Sequence, residues 1–201
     1  MKLLIVYYST FGNTYKMANL VAEGVKEAGG EPIIRKCPEL LPEQIIASRP
    51  DMQAGRDMQK DIPVVTLDDF KNVDGYAFGT PTRFGNVSAQ LKNVVDQLGP
   101  LWMQRIFEGK PAGVFVSTGT LHGGHETTIF TFMTVLLHLG CVIVGVPYSV
   151  PGLYLTKGGG SPYGPGHIAE AENKRDIDEN EANICREFGK RLTEIAKKLK
   201  K

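Results

Sequence analysis

Five apolar runs without inward/outward alternation recur along the chain, at residues 3–8, 32–36, 75–79, 112–117 and 141–146. Such runs read as strands buried on both faces, the pattern of a parallel sheet. Segments with helical spacing lie between them. Met17, Ala18, Val21, Ala22 and Val25 share one face of a helix over about 15–28. A short helix is expected at 67–71, another at 87–98 through Val87, Leu91, Val94, Val95 and Leu98, and another at 127–139. Ile184, Phe188, Leu192, Ile195 and Leu199 line one face of a final helix. Strands and helices in alternation predict an α/β fold, a five-stranded doubly wound parallel sheet of order 2-1-3-4-5 with helices on both faces.

Two stretches break this rhythm. Residues 38–63 are polar, with several prolines, and have room for only a short helix. Residues 147–176 read as a long Gly/Pro-rich loop, within what is otherwise one domain over 1–201. Loops of that length mark a functional or interface segment.

The first strand ends in Ser9-Thr10-Phe11-Gly12-Asn13-Thr14, directly before the first helix. Unpaired N–H groups of a first helical turn, the helix dipole and three hydroxyls make a place for a phosphate. A dinucleotide fold wants Gly-x-Gly-x-x-Gly here, and a nucleotide triphosphatase wants Gly-Lys-Ser/Thr; the hexapeptide is neither. A hydroxyl-lined loop without a basic residue suits the single terminal phosphate of FMN. From the hexapeptide alone, FMN and an ordinary N-capped helix both stand.

Composition narrows the classes. The chain has 201 residues, 42% hydrophobic and 22% charged, with a formal net charge of +1. Its basic residues are dispersed, which argues against nucleic acid. The densest patch, Lys190, Lys197, Lys198, Lys200 and Lys201, reads as a solvated helix end. Cys37, Cys141 and Cys185 are an odd number without Cys-x-x-Cys spacing, which favours a reducing, cytoplasmic setting. Residues 129–146 are apolar, yet the pattern changes from helix to strand at Gly140, so no integral membrane segment is expected. His122, His125 and Glu126 cluster in a glycine turn but are too few for a metal site, so no metal is expected.

The third and fourth strand ends carry further polar loops, residues 79–86 and 117–126, where ligands of this architecture sit. Four blocks there and beyond are distinctive: Thr80-Pro81-Thr82-Arg83-Phe84-Gly85-Asn86, Gly99-Pro100-Leu101-Trp102, Ser117-Thr118-Gly119-Thr120 and Gly159-Gly160-Ser161-Pro162-Tyr163-Gly164. In order and over essentially the whole chain, they resemble the WrbA family of flavodoxin-like NAD(P)H:quinone oxidoreductases. The 117–126 run is one residue longer than the family pattern, with Leu121-His122 replacing glycine, and 53–61 is added material.

The resemblance implies FMN as cofactor, NADH or NADPH as electron donor, a quinone as substrate, and a homotetramer built as a dimer of dimers. It implies that Ser9 to Thr14 hold the phosphate and ribityl chain, and that Pro81, Thr82, Arg83 and Phe84 edge the ring. Ser117, Thr118, Gly119, Thr120, Leu121, His122, Gly123 and Gly124 would form the second flavin loop. His138 would stand beside flavin and quinone as a hydrogen-bond or proton donor, while Phe11, Phe84 and Trp102 would stack on nicotinamide or quinone. The implied reaction is two-electron reduction of quinones by a ping-pong mechanism. Rivals of the same fold are a flavodoxin-type electron carrier, a flavin-dependent redox sensor or scaffold, and a receiver domain. A carrier wants an acidic docking face that a net charge of +1 does not supply. A receiver wants acidic residues where this chain has Ser9 and Thr80.

Overall fold

A computed structural model describes residues 1–173 and 175–200. Lys174, inside the long 147–176 segment, and Lys201, at the end of the lysine cluster, lie outside the described residues. The elements run β1 (Lys2–Tyr7), α1 (Asn13–Glu27), β2 (Glu31–Lys36), α2 (Glu43–Ala47), α3 (Pro50–Met58), β3 (Gly75–Pro81), α4 (Ala89–Asp96) and α5 (Gly99–Met103). They continue with β4 (Pro111–Thr118), α6 (His125–His138), β5 (Val142–Ile143), α7 (Pro151–Leu155), β6 (Gly166–Ile168) and α8 (Glu179–Leu199). Single 3-10 turns occupy Leu67–Phe70 and Ala171–Asn173.

The named strands pair in parallel, in the order β2-β1-β3-β4-β5, with β6 also on β4. The expected order holds. Strands β1, β3 and β4 are buried almost throughout, which explains their unbroken apolar runs. One apolar layer packs Phe70, Tyr76, Phe78, Phe107 and Phe132 on one face of the sheet. The other packs Met17, Val21, Phe115, Phe188 and Leu192 beneath α1 and α8. Among the described residues no helix is long and apolar enough to cross a membrane. All three cysteines are buried free thiols.

The fifth strand departs from expectation. Only Val142 and Ile143 join the ladder, against Pro111 and Ala112. Further along, Val146 N–H donates to Pro162 O at 2.9 Å, so the chain is claimed by the 158–164 segment rather than by β4. The freed half of that edge is taken by β6, which aligns Val116 with Gly166, Ser117 with His167 and Thr118 with Ile168. The 147–176 segment is therefore not a structureless loop, and its glycines close on their own chain; a Cβ on Gly159 would strike the Gly166 backbone. Residues 38–63 also hold more than expected, two helices rather than one short one.

Glu181, fully buried in the first turn of α8, ties this segment down. Its carboxylate accepts from Gly159 N–H at 2.8 Å, His167 Nδ1 at 2.9 Å, Arg175 at 2.9 and 3.0 Å and Ile168 N–H at 3.2 Å. Burial opposes its ionisation, but the bonds from His167, Arg175 and Gly159 prevail and hold it down at about 2. A carboxylate depressed in the folded state contributes stability above its unfolded value and loses it as pH falls. The window here runs from about 4.5 down to about 2, and the contribution is on the order of 3 kcal/mol. Thermal melts of Glu181→Gln are expected to show a lower midpoint at pH 7 and a shallower decline between pH 5 and 3 than wild type. An equally steep acid decline in the variant would refute this assignment.

Candidate functional site

β1 delivers the chain into Ser9–Thr14 with Tyr8 N–H still bonded to Gly79 O at 3.0 Å. Gly12 then turns left-handed, at φ 91°, as the residue before α1. It has no side chain with which to cap the helix, and Lys16 N–H is the donor that reaches back to Gly12 O, at 2.9 Å. The first-turn N–H groups are left facing out of the loop. Ser9 Oγ is buried and makes no hydrogen bond among the described residues. A buried hydroxyl without a partner, beside a helix N-terminus, fits the terminal phosphate of FMN.

The second loop leaves β3. Arg83 N–H donates to Asn86 O at 2.8 Å and Asn86 N–H to Arg83 O at 3.0 Å, a two-residue turn. Its centre, Phe84 at φ 53° and Gly85 at φ 75°, is left-handed at both positions. Phenylalanine rarely adopts this conformation, and here it throws the ring fully into solvent, at 107% relative exposure. Arg83 folds back instead, donating from Nη2 to Thr10 Oγ1 at 2.9 Å and bridging the first two loops. Thr82 N–H donates to Ser117 O at 2.8 Å, and its Oγ1 meets Thr128 Oγ1 at 2.8 Å.

The third loop leaves β4. Thr118 Oγ1 donates to Thr120 O at 2.8 Å, so it must accept from His125 Nε2–H at 2.7 Å. His125 is buried at the start of α6, and burial pushes it below the usual histidine range, keeping it neutral. His122 and Glu126 stay exposed, so the three groups do not converge.

The three loops meet around a cavity of about 210 Å³. Ser9, Thr10, Phe11, Asn13 and Thr14 line it from the first, Pro81, Thr82 and Arg83 from the second, and Ser117, Thr118 and Gly119 from the third. Gly12 does not line it. Phe84 and the run Thr120, Leu121, His122, Gly123, Gly124 stand outside it, because the turn at 84 and the rim beyond Gly119 face solvent. Ala169 and Asn173 complete the wall, and Asn13 Nδ2 donates to Asn173 Oδ1 at 3.4 Å. Neither carried a local signal; they arrive through the pairing of β6. His138 and Trp102 lie elsewhere. Trp102, on α5 rather than in a loop, donates from Nε1 to the His138 carbonyl at 3.1 Å. That contact closes the far end of α6, whose 14 residues span roughly 20 Å.

The sequence profile of the NADPH-dependent FMN reductase family matches residues 1–152. The chain belongs to that family. Among its relatives, the NAD(P)H dehydrogenase (quinone) of Geobacter metallireducens is 44% identical, each chain covered in full. The NAD(P)H dehydrogenase (quinone) 3 of Rhizobium meliloti is 42% identical over 97% of this chain and 92% of its own. The WrbA-like flavodoxin of Agrobacterium tumefaciens shares the fold at a TM-score of 0.65 and 21% identity, over 99% of both chains. The resemblance drawn from the four motif blocks is thus borne out for the family and the fold.

For this FMN reductase family member, Ser9→Ala removes a buried hydroxyl that has no partner in the free chain. The apoprotein is expected to melt no lower than wild type, while FMN binds about tenfold more weakly, the loss of roughly one hydrogen bond to a charged group. Isothermal titration and melting of apoprotein test both halves. A destabilised apoprotein with unchanged affinity would remove Ser9 from the site.

Proposed function

We propose that this protein is an FMN-dependent NAD(P)H:quinone oxidoreductase that binds nucleotide and quinone in turn at one site. The observation that carries this reading is the convergence of three strand-end loops on one cavity whose floor holds an unpartnered hydroxyl and an uncapped helix N-terminus. Bound FMN would supply the two-electron chemistry, accepting reducing equivalents from NAD(P)H and passing them to a quinone. Ser9, Thr10, Asn13, Thr14 and the first-turn amides of α1 hold the phosphate and ribityl chain. Pro81, Thr82 and Arg83 edge the ring on one side, and Ser117 to Gly119 on the other. His125, neutral and buried, fixes the Thr118 hydroxyl so that this edge is aligned before ligand arrives. Phe11 and Phe84 offer aromatic walls.

His138 and Trp102 enter through assembly. In its own chain His138 stands at the opposite end of α6 from the loops, so it reaches a flavin only from another copy. The implied role of His138 and the implied homotetramer thus require each other. Trp102, at 54% exposure, and Phe84 are aromatic surfaces suited to such an interface. The chain acts as one domain over 1–201, since the 147–176 segment supplies cavity residues, and three buried free thiols suit the cytoplasm.

Purified protein is expected to take up FMN and to oxidise NADH or NADPH with benzoquinone, giving parallel double-reciprocal lines. Intersecting lines would exclude the ping-pong order, and absence of nucleotide oxidation would favour an electron carrier. His138→Ala is expected to slow the quinone half-reaction in stopped flow by about 100-fold, with FMN affinity unchanged. Equal losses in both would make His138 structural.

A further inference from the structure

Residues 53–61, the stretch read as added material, include the end of α3, which lies directly on the phosphate loop. Gln59, the residue after α3, is 6% exposed. Its Nε2 donates to Ser9 O at 2.8 Å and to Gly55 O at 2.9 Å. Its own carbonyl accepts from Lys36 Nζ at 2.9 Å, at the end of β2. Gln59 therefore links the edge of the sheet, the end of α3 and the first residue of the loop. Gly55 brings the helix backbone against the loop; a methyl there would fall 2.5 Å from Thr10 O and 2.8 Å from Phe11 Cα. Met58 Sδ covers Gly12, 2.8 Å from where a Cβ would stand. Arg49, just before α3, lies 5.5 Å from the centre of the Phe11 ring. Every residue from Ser9 to Gly12 is held by this one element.

A loop that turns its amides outward, bends left-handed at Gly12 and buries an unpartnered hydroxyl has little of its own to keep it in that shape. A contact that fixes the loop before ligand arrives removes the ordering step from binding and appears as affinity. Without the Gln59 amide, Ser9 O would lose its donor inside the protein. We propose that α3 and Gln59 clamp the phosphate loop into its binding shape, making Gln59 a positioning residue for the terminal phosphate of FMN. The donor that the clamp supplies goes to Ser9 O at the phosphate end, and its one link to a ring-edging loop is through Thr10, whose Oγ1 accepts from Arg83 Nη2. This proposal rests on the flavin reading above.

The test compares FMN with riboflavin, which lacks the phosphate, by fluorescence titration of apoprotein. Gln59→Met keeps the volume and removes the donor. It is expected to weaken FMN by about tenfold while riboflavin changes by less than about twofold. The phosphorus resonance of bound FMN is expected to move or broaden in the same variant. Gly55→Ala provides a second route that does not depend on a lost hydrogen bond, since alanine is the better helix former and any loss of FMN affinity comes from displacing the loop. It is expected to lower the preference for FMN over riboflavin in the same sense. Equal weakening of both flavins, or FMN affinity within about twofold of wild type in both variants, would overturn the clamp. Wild-type protein that binds neither flavin would instead sink the flavin reading itself.

Discussion

Pro81 pairs with Ser117 and Ser117 with His167, so β3, β4 and β6 finish within a residue of one level, while β1 ends at Tyr7 opposite Gly79, two residues lower. This in-register parallel pairing is the constraint from which the site follows. Each loop is short and polar, and none could bury a ligand alone. Brought together by the ladder, they enclose a cavity, and Arg83 to Thr10 and Thr82 to Ser117 lock them to each other. A one-residue slip would turn the Thr118 hydroxyl to the other face of the sheet and break its bond to His125.

Buried polar groups divide into two kinds here. Glu181 collects donors from three stretches of chain, and Thr118 is bonded on both sides. Ser9 Oγ has no partner among the described residues, and neither have Tyr7 Oη, His125 Nδ1, His167 Nε2 and Asn183 Oδ1. What sets Ser9 apart is its place in the wall of the cavity, before the first turn of α1, where a phosphate would supply the missing partner.

The same frame bears on the proposed assembly. Its rim is open on the side of Phe84, an aromatic ring placed in solvent by a strained turn. The histidine with a proposed proton role is far away, anchored through its own backbone carbonyl to Trp102. In the proposed homotetramer, a flavin held here would be gripped by one subunit and walled by others.

Hydrophobic periodicity alone determined the parallel sheet and the two-faced core, because a buried parallel strand must be apolar throughout and an amphipathic helix must repeat every three to four residues; the order 2-1-3-4-5 came from fitting five such strands to the doubly wound architecture. Periodicity also placed three polar loops at strand ends, since these follow strands directly and use residues whose turn chemistry is local; the flavin-edging role proposed for two of them came from the family resemblance. Tertiary structure alone decided the rest. The fifth strand position was split because Pro162 takes the Val146 N–H while β6, about 20 residues further on, takes the other half of the β4 edge, a contest that no local pattern records. Ala169, Asn173 and Gln59 gained their roles by where distant pairing carried them. His125 turned inward while its neighbours His122 and Glu126 stayed in water, a choice made by the hydroxyl of Thr118 and the backbone at Gly166. Local sequence specifies what a segment can form; the packing of distant segments specifies which of its side chains face one another.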